Sequence, residues 1–298
     1  MRSGHPSDDL KSHAPKMAPP LPFSRPIRRR GVTRMSEVDE KRSRATCLFC
    51  DQRSGSAEHA FPVWLQRHMN PTGDDAKIDL DGRHFETGKY SFFRTKLVCH
   101  DCNTKWMNDT FEATAKPLII DLCTRPDPRT ITTRQQRLLA RWVYKTALTL
   151  EACREGGPMV DRKVYRRFRS SAEPTAHTTL VMGRSAHHTL AHLRRLFPTP
   201  GATPSGGVGK LRMFDPDAPG VGYAFTMVID RLWFYGVVGG LDMVPRDDSV
   251  ASAPEQVHFI WPPTSSGVPW PIEKPFSKTA LEQVANTFGD DEGFVLYE

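Results

Sequence analysis

The chain has 298 residues, 38% of them hydrophobic and 25% charged, with a formal net charge of +7 and a sequence pI near 9.2. This balance is that of a soluble protein with one or two domains and a substantial core, and the expected compartment is cytoplasmic. No apolar run approaches the roughly 18 residues that a membrane-spanning helix needs, and no apolar stretch of signal-peptide type follows the N-terminus.

The charge is unevenly placed. Residues 1–34 hold eight Lys or Arg against Asp8 and Asp9, a net of +6, so the other 264 residues carry only +1. The head, residues 1–44, has six prolines, the run Arg28, Arg29, Arg30 and no periodic apolar pattern, and is expected to be disordered. It reads either as a non-specific phosphate-binding arm or as a solvated tail, with Met35 opening a plausible shorter chain.

The next stretch, 45–116, organises the rest. Cys47 and Cys50 (C-L-F-C) and Cys99 and Cys102 (C-H-D-C) form two Cys-x-x-Cys pairs separated by 48 residues. Two such knuckles can supply four thiolates to one tetrahedral zinc. One pair alone would also fit a redox couple, and reduced cysteines without metal remain the alternative. Disulfides are not expected without a secretory signal. Between the pairs lies A-E-H-A-F-P-V-W-L, residues 57–65, and after Cys102 comes N-T-K-W-M-N-D-T-F-E. Met107, Phe111 and Ala115 share a helical face, so Trp64, Trp106, Met107 and Phe111 read as core rather than substrate contacts. Asn103 is placed to cap the helix.

Cys-x-x-Cys, then Glu-His-x-x-Pro, then Cys-x-x-Cys-Asn opening a helix resembles the zinc-containing branch of the HNH endonucleases, which have a ββα-metal fold. The likeness covers residues 45–116. It implies a structural zinc on Cys47, Cys50, Cys99 and Cys102, and a catalytic Mg²⁺ or Mn²⁺ held by Glu58 and Asn103. It also implies His59 as the general base that takes a proton from water. An imidazole suits that step near neutrality, and carboxylate and amide oxygens suit a hard cation. The sequence departs from the family pattern where a bracing asparagine is expected before the second knuckle, since S-F-F-R-T-K-L-V-C stands there. Arg94 and Lys96 in that stretch, with Lys105, are candidate nucleic-acid contacts. His100, Asn108, Asp109 and Glu112 are candidates for a further metal ligand. The implied activity is hydrolysis of phosphodiester bonds in nucleic acid, DNA ahead of RNA. Two other readings stand beside it, namely a non-catalytic zinc-ribbon nucleic-acid-binding protein and a structural zinc module for protein assembly.

A helical segment, 117–157, is expected next. Pro117 opens a short helix that the Pro-rich 126–128 ends. Thr133 and Gln136 have capping-box spacing before a stripe of Leu139, Trp142, Val143, Thr146 and Leu150, and Gly156 and Gly157 would stop that helix. Cys123 and Cys153 read as buried thiols, too isolated for a second metal site. The last stretch, 158–298, is expected to form an antiparallel sheet with flanking helices, which makes the whole chain α+β. Its predicted elements are a strand at 177–183, a helix over His187 to Phe197, and a Gly/Pro loop at 198–220. A hairpin of Y-A-F-T-M-V-I and L-W-F-Y-G-V-V turning at Asp230-Arg231 follows, then a strand at 256–262 and a helix at 277–288. His187, His188 and His192 are placed on a solvated face. Trp233, Tyr235, Trp261 and Trp270 are placed in the core ahead of a base-stacking role.

Overall fold

The computed structural model describes residues 46–69, 76–80, 83–87, 94–125, 127–153, 157–158, 160–176, 178–197, 222–238, 255–277, 280 and 295–297. The basic head, Asn70, the loop at 198–220 and nearly all of the last expected helix lie outside them. The chain is mixed α and β. Its helices are α1 (Val63–Met69), α2 (Cys102–Glu112, wound as a π-helix), α3 (Ala113–Thr124), α4 (Thr133–Ala152) and α5 (Arg162–Ser171). Its strands are β1 (Ser56–His59), β2 (Ala76–Leu80), β3 (Arg83–Thr87), β4 (Arg94–Val98), β5 (Arg129–Ile131), β6 (Thr178–Phe197), β7 (Gly222–Val238), β8 (Val257–Trp261), β9 (Val268–Trp270) and β10 (Val295–Tyr297).

All described strand pairs are antiparallel. β1 pairs with β4 and β5 with β9, while β3, β2, β10, β6 and β7 lie side by side in the largest sheet, with β8 also on β6. The hairpin of β2 and β3, drawn from between the two cysteine pairs, thus reaches that sheet through β10.

α4 is the central element. Its residues from Trp142 to Ala152 are buried without interruption, the pattern of a helix covered on every side. Thr132, not Thr133, is the N-cap. Gln135 N–H donates to Thr132 Oγ1, and Thr132 N–H donates to Gln135 Oε1 at 2.9 Å, which is a complete capping box. The frame shifts by one because Gln136 is buried and accepts from Thr264 N–H at 2.8 Å. The helix ends at Ala152 with Cys153 as C-cap, ahead of the glycines. Pro117 sits inside α3 rather than opening it, and α2 runs directly into α3. At their junction Ala113 N–H donates to Asn108 O, five residues back, as a π-helix requires.

Two expectations in the C-terminal half are corrected. His187 to Phe197 is not a helix but the second part of β6, bonded to β7 from Thr189↔Asp230 to Phe197↔Gly222 and to β10 at His192↔Val295. The segment around Asp230-Arg231 is not a hairpin turn. Asp230 has φ +55, but β7 continues through it because both of its halves pair with β6. The strands beginning at Thr178 and Val257 are as expected. Trp233, Tyr235 and Trp270 are buried, and the half-buried Trp261 donates Nε1–H to Thr175 O at 3.3 Å.

One buried apolar cluster runs from Cys47 to Ile272. Met107, Phe111 and Ala115 lie in it, with Trp64 and Trp106 packed against its edge. Phe49 of the first knuckle meets Trp106 and Tyr165, and Phe111 stacks on Phe168 at 5.2 Å. The cysteine-rich stretch, α2 and α5 therefore share one aromatic core. No helix among the described residues is long and apolar enough to cross a membrane.

Candidate metal centre and active site

Each cysteine pair sits in a tight backbone turn. A bridge between Thr46 and Arg53 closes the first knuckle, with Cys47 N–H donating to Gln52 O at 2.8 Å. In the second, Cys102 N–H donates to the Cys99 sulfur at 3.3 Å. Gly55, at φ +134, lets the chain turn out of the first knuckle, and its N–H reaches Val98 O just before Cys99. β1 and β4 then hold the two knuckles together.

The four sulfurs converge. Cys50 lies 3.5 Å from Cys99 and 3.6 Å from Cys102, and all four lie within 4.8 Å of one another. A disulfide would bring two sulfurs to about 2.0 Å. Zinc–sulfur bonds of about 2.3 Å in a tetrahedron set the sulfur–sulfur edge near 3.8 Å, close to the separations seen. All the described cysteines are free thiols. The Cys102 thiol hydrogen-bonds Cys47 and holds it well below the ordinary thiol range, at about 5, while that bond and burial push Cys102 up. Such a cluster favours negative charge on the Cys47 sulfur, and the four thiols could hold a zinc ion.

Glu58 and His59 end β1, opposite Thr95 and Arg94 of β4. Strand alternation sends them to opposite faces. Glu58 is 7% exposed and faces inward, and burial raises its pKa above the usual carboxylate value. Lys145, wholly buried on α4, forms a close ion pair with Glu112 and lies 3.5 Å from Glu58 Oε1. Burial alone would lower the lysine pKa, but Glu112 and Glu58 more than offset it, so its net shift is upward. Trp64 and Trp142 both donate Nε1–H to Glu112 Oε2, at 2.8 and 3.0 Å. The lysine is thus tied closely to Glu112 and only loosely to Glu58.

His59 is half-buried, and its Nε2 accepts from Arg94 Nε–H at 2.7 Å. Burial, then the charges of Arg94 and Lys145, lower its pKa from the ordinary imidazole value, which favours the neutral ring. Arg94 therefore does more than face solvent: it fixes the ring. Asn103, in the first turn of α2, does not cap it. Its Nδ2 donates to Ser56 Oγ at 2.8 Å and Ala57 O at 3.2 Å, clamping the helix start to β1. Those bonds take its amide donors and leave Oδ1 for a ligand.

Lys96 and Lys105 are exposed, and Lys105 pairs with Asp101 at 2.9 Å. His100, Asn108 and Asp109 are exposed too, so among the four candidates for a further ligand only Glu112 lies with Glu58. Sequence reasoning missed Lys145. Its signal was a lone charge inside the apolar run W-V-Y-K-T-A-L, because a lysine is almost never fully buried unless paired. It also missed α5, which carries five basic residues and no acidic one. Lys163, Arg166, Arg167 and Arg169 are exposed, while Arg162 and Arg166 reach Thr46 O and Asp51 of the first knuckle.

Compared with known family models, curated proteins and solved structures, the chain matches none of them.

Proposed function

We propose that the protein is a metal-dependent, HNH-type endonuclease of the ββα-metal kind that hydrolyses phosphodiester bonds of nucleic acid, DNA ahead of RNA, in the cytoplasm. The observation that carries this reading is a juxtaposition. Asn103 at the start of α2 bonds to Ala57 O, next to Glu58-His59 on β1, and this strand and its partner β4 adjoin four clustered cysteines.

In this reading zinc on Cys47, Cys50, Cys99 and Cys102 is structural. Glu58 and the Asn103 amide oxygen would supply hard oxygen donors of the kind Mg²⁺ or Mn²⁺ takes, with Glu112 on the Glu58 side. Such a cation would stabilise negative charge on the scissile phosphate and the departing oxygen. The chain's own contribution is His59, which takes the proton from the attacking water.

A neutral imidazole offers one donor and one acceptor nitrogen, and Arg94 occupies the acceptor Nε2. A phosphate that attracts the Arg94 guanidinium would free Nε2 to act as a base, coupling backbone binding to activation. The exposed basic side chains of α5, with Lys96, supply further phosphate contacts.

The second reading is a nucleic-acid-binding zinc module without catalysis. It is favoured by the engagement of His59 with Arg94 and by the proximity of Lys145 to Glu58. Plasmid DNA and RNA incubated with the purified full chain in Mg²⁺, Mn²⁺ or EDTA separate the two. The endonuclease reading expects cleavage that EDTA abolishes, and binding without cleavage under every condition would support the alternative.

A further inference from the structure

A second group of ligand-type side chains lies away from the four cysteines and is independent of the nuclease reading. His68 at the end of α1, Cys123 on α3 and Asp230 on β7 bring a ring nitrogen, a thiol sulfur and a carboxylate oxygen within 4.8 Å of one another. They are distant in sequence, so Cys123 looked isolated until the chain folded. We propose that His68, Cys123 and Asp230 form a second metal site, for zinc or a similar borderline-soft divalent cation, with three protein ligands and one open position.

Geometry and donor chemistry support it. His68 Nε2 lies 3.4 Å from Asp230 Oδ2, longer than the 2.7–3.2 Å of a good N–H···O bond. Zinc–nitrogen and zinc–oxygen bonds of about 2.0–2.2 Å in a tetrahedron place nitrogen and oxygen about 3.3–3.5 Å apart, so the spacing of this loose pair also accommodates two ligands sharing a metal. The mixed nitrogen, sulfur and oxygen set suits zinc and not magnesium or calcium, which take oxygen ligands.

Cys123 and Asp230 are buried, whereas the His68 side chain keeps 18% exposure, so solvent reaches the group on the histidine side if anywhere. Asp230 holds φ +55, in the left-handed region that non-glycine residues seldom occupy. It does so where the β6–β7 register shifts, with Arg184 opposite Leu232 and Thr189 opposite Asp230. Departures of this kind cluster at ligand sites.

The test is the zinc content of the full chain, saturated with Zn²⁺ under reducing conditions and freed of loose metal, beside His68→Ala and Asp230→Asn. Asparagine accepts the left-handed conformation, so Asp230→Asn keeps the backbone, and circular dichroism confirms that each variant is folded. The site predicts that both variants bind one zinc fewer per chain than wild type, while Cys102→Ser loses a different equivalent and leaves the His68 site filled. Equal zinc in wild type, His68→Ala and Asp230→Asn would overturn it.

Discussion

Lys145 stands between two buried carboxylates, Glu58 and Glu112, and two tryptophan N–H groups point at the second of them. Removing one partner of a buried pair leaves uncompensated charge, which costs about 3–5 kcal/mol. Lys145→Met should therefore destabilise the chain by about that amount in denaturant titration at pH 7. The sign of the pH dependence follows from the carboxylates. Without the lysine, protonation relieves their repulsion and desolvation, and burial already raises the Glu58 pKa. The deficit should shrink as the pH falls toward 5, and a deficit unchanged between pH 7 and pH 5 would show that the pair is not electrostatically coupled. Much at this scale was legible. The four cysteines and the apolar roles of Met107 and Phe111 followed from spacing. Lys145 and the Arg94 contact to His59 did not, because each depends on a partner dozens of residues away.

Among the elements, local patterns succeeded where the chain decides its own conformation and failed where a neighbouring strand decides it. α4 is marked by its cap and apolar stripe, although paired threonines and paired glutamines gave two frames for the same box. Leu190, Leu193 and Phe197 have the spacing of a helix face, yet pairing with β7 and β10 makes that segment a strand. Asp230 reads locally as a turn, but a left-handed residue serves a kink as well as a reversal. Where β6 and β7 pack, Gly236 is required by space. A Cβ there would lie 2.4 Å from the Phe225 ring and 2.6 Å from Leu180. Gly236→Ala should cost about 1–3 kcal/mol by overpacking, read as a lowered denaturation midpoint with an unchanged slope. A midpoint equal to wild type would mean that the sheet yields at that point.

For the whole molecule, a continuous core from Cys47 to Ile272 couples the cysteine cluster to the remainder. A zinc ion on the four cysteines would hold the turn that places Phe49 against Trp106 and Tyr165, so its loss should loosen α2 and α5 as well as the knuckles. Chelation, or Cys47→Ser, is expected to lower the melting temperature of the chain in a single transition and to shift tryptophan emission to the red. A melting curve indifferent to chelator, in protein shown to have carried zinc, would place the cluster outside the cooperative unit. The central claim is that this framework presents His59 as a base. It is tested most directly by plasmid cleavage in Mg²⁺ or Mn²⁺ with wild type and His59→Ala at matched zinc content and DNA affinity. The account predicts a loss of about 10²–10⁴-fold in rate that added Mn²⁺ does not restore. Undiminished cleavage by His59→Ala, in a preparation free of contaminating nuclease, would contradict it.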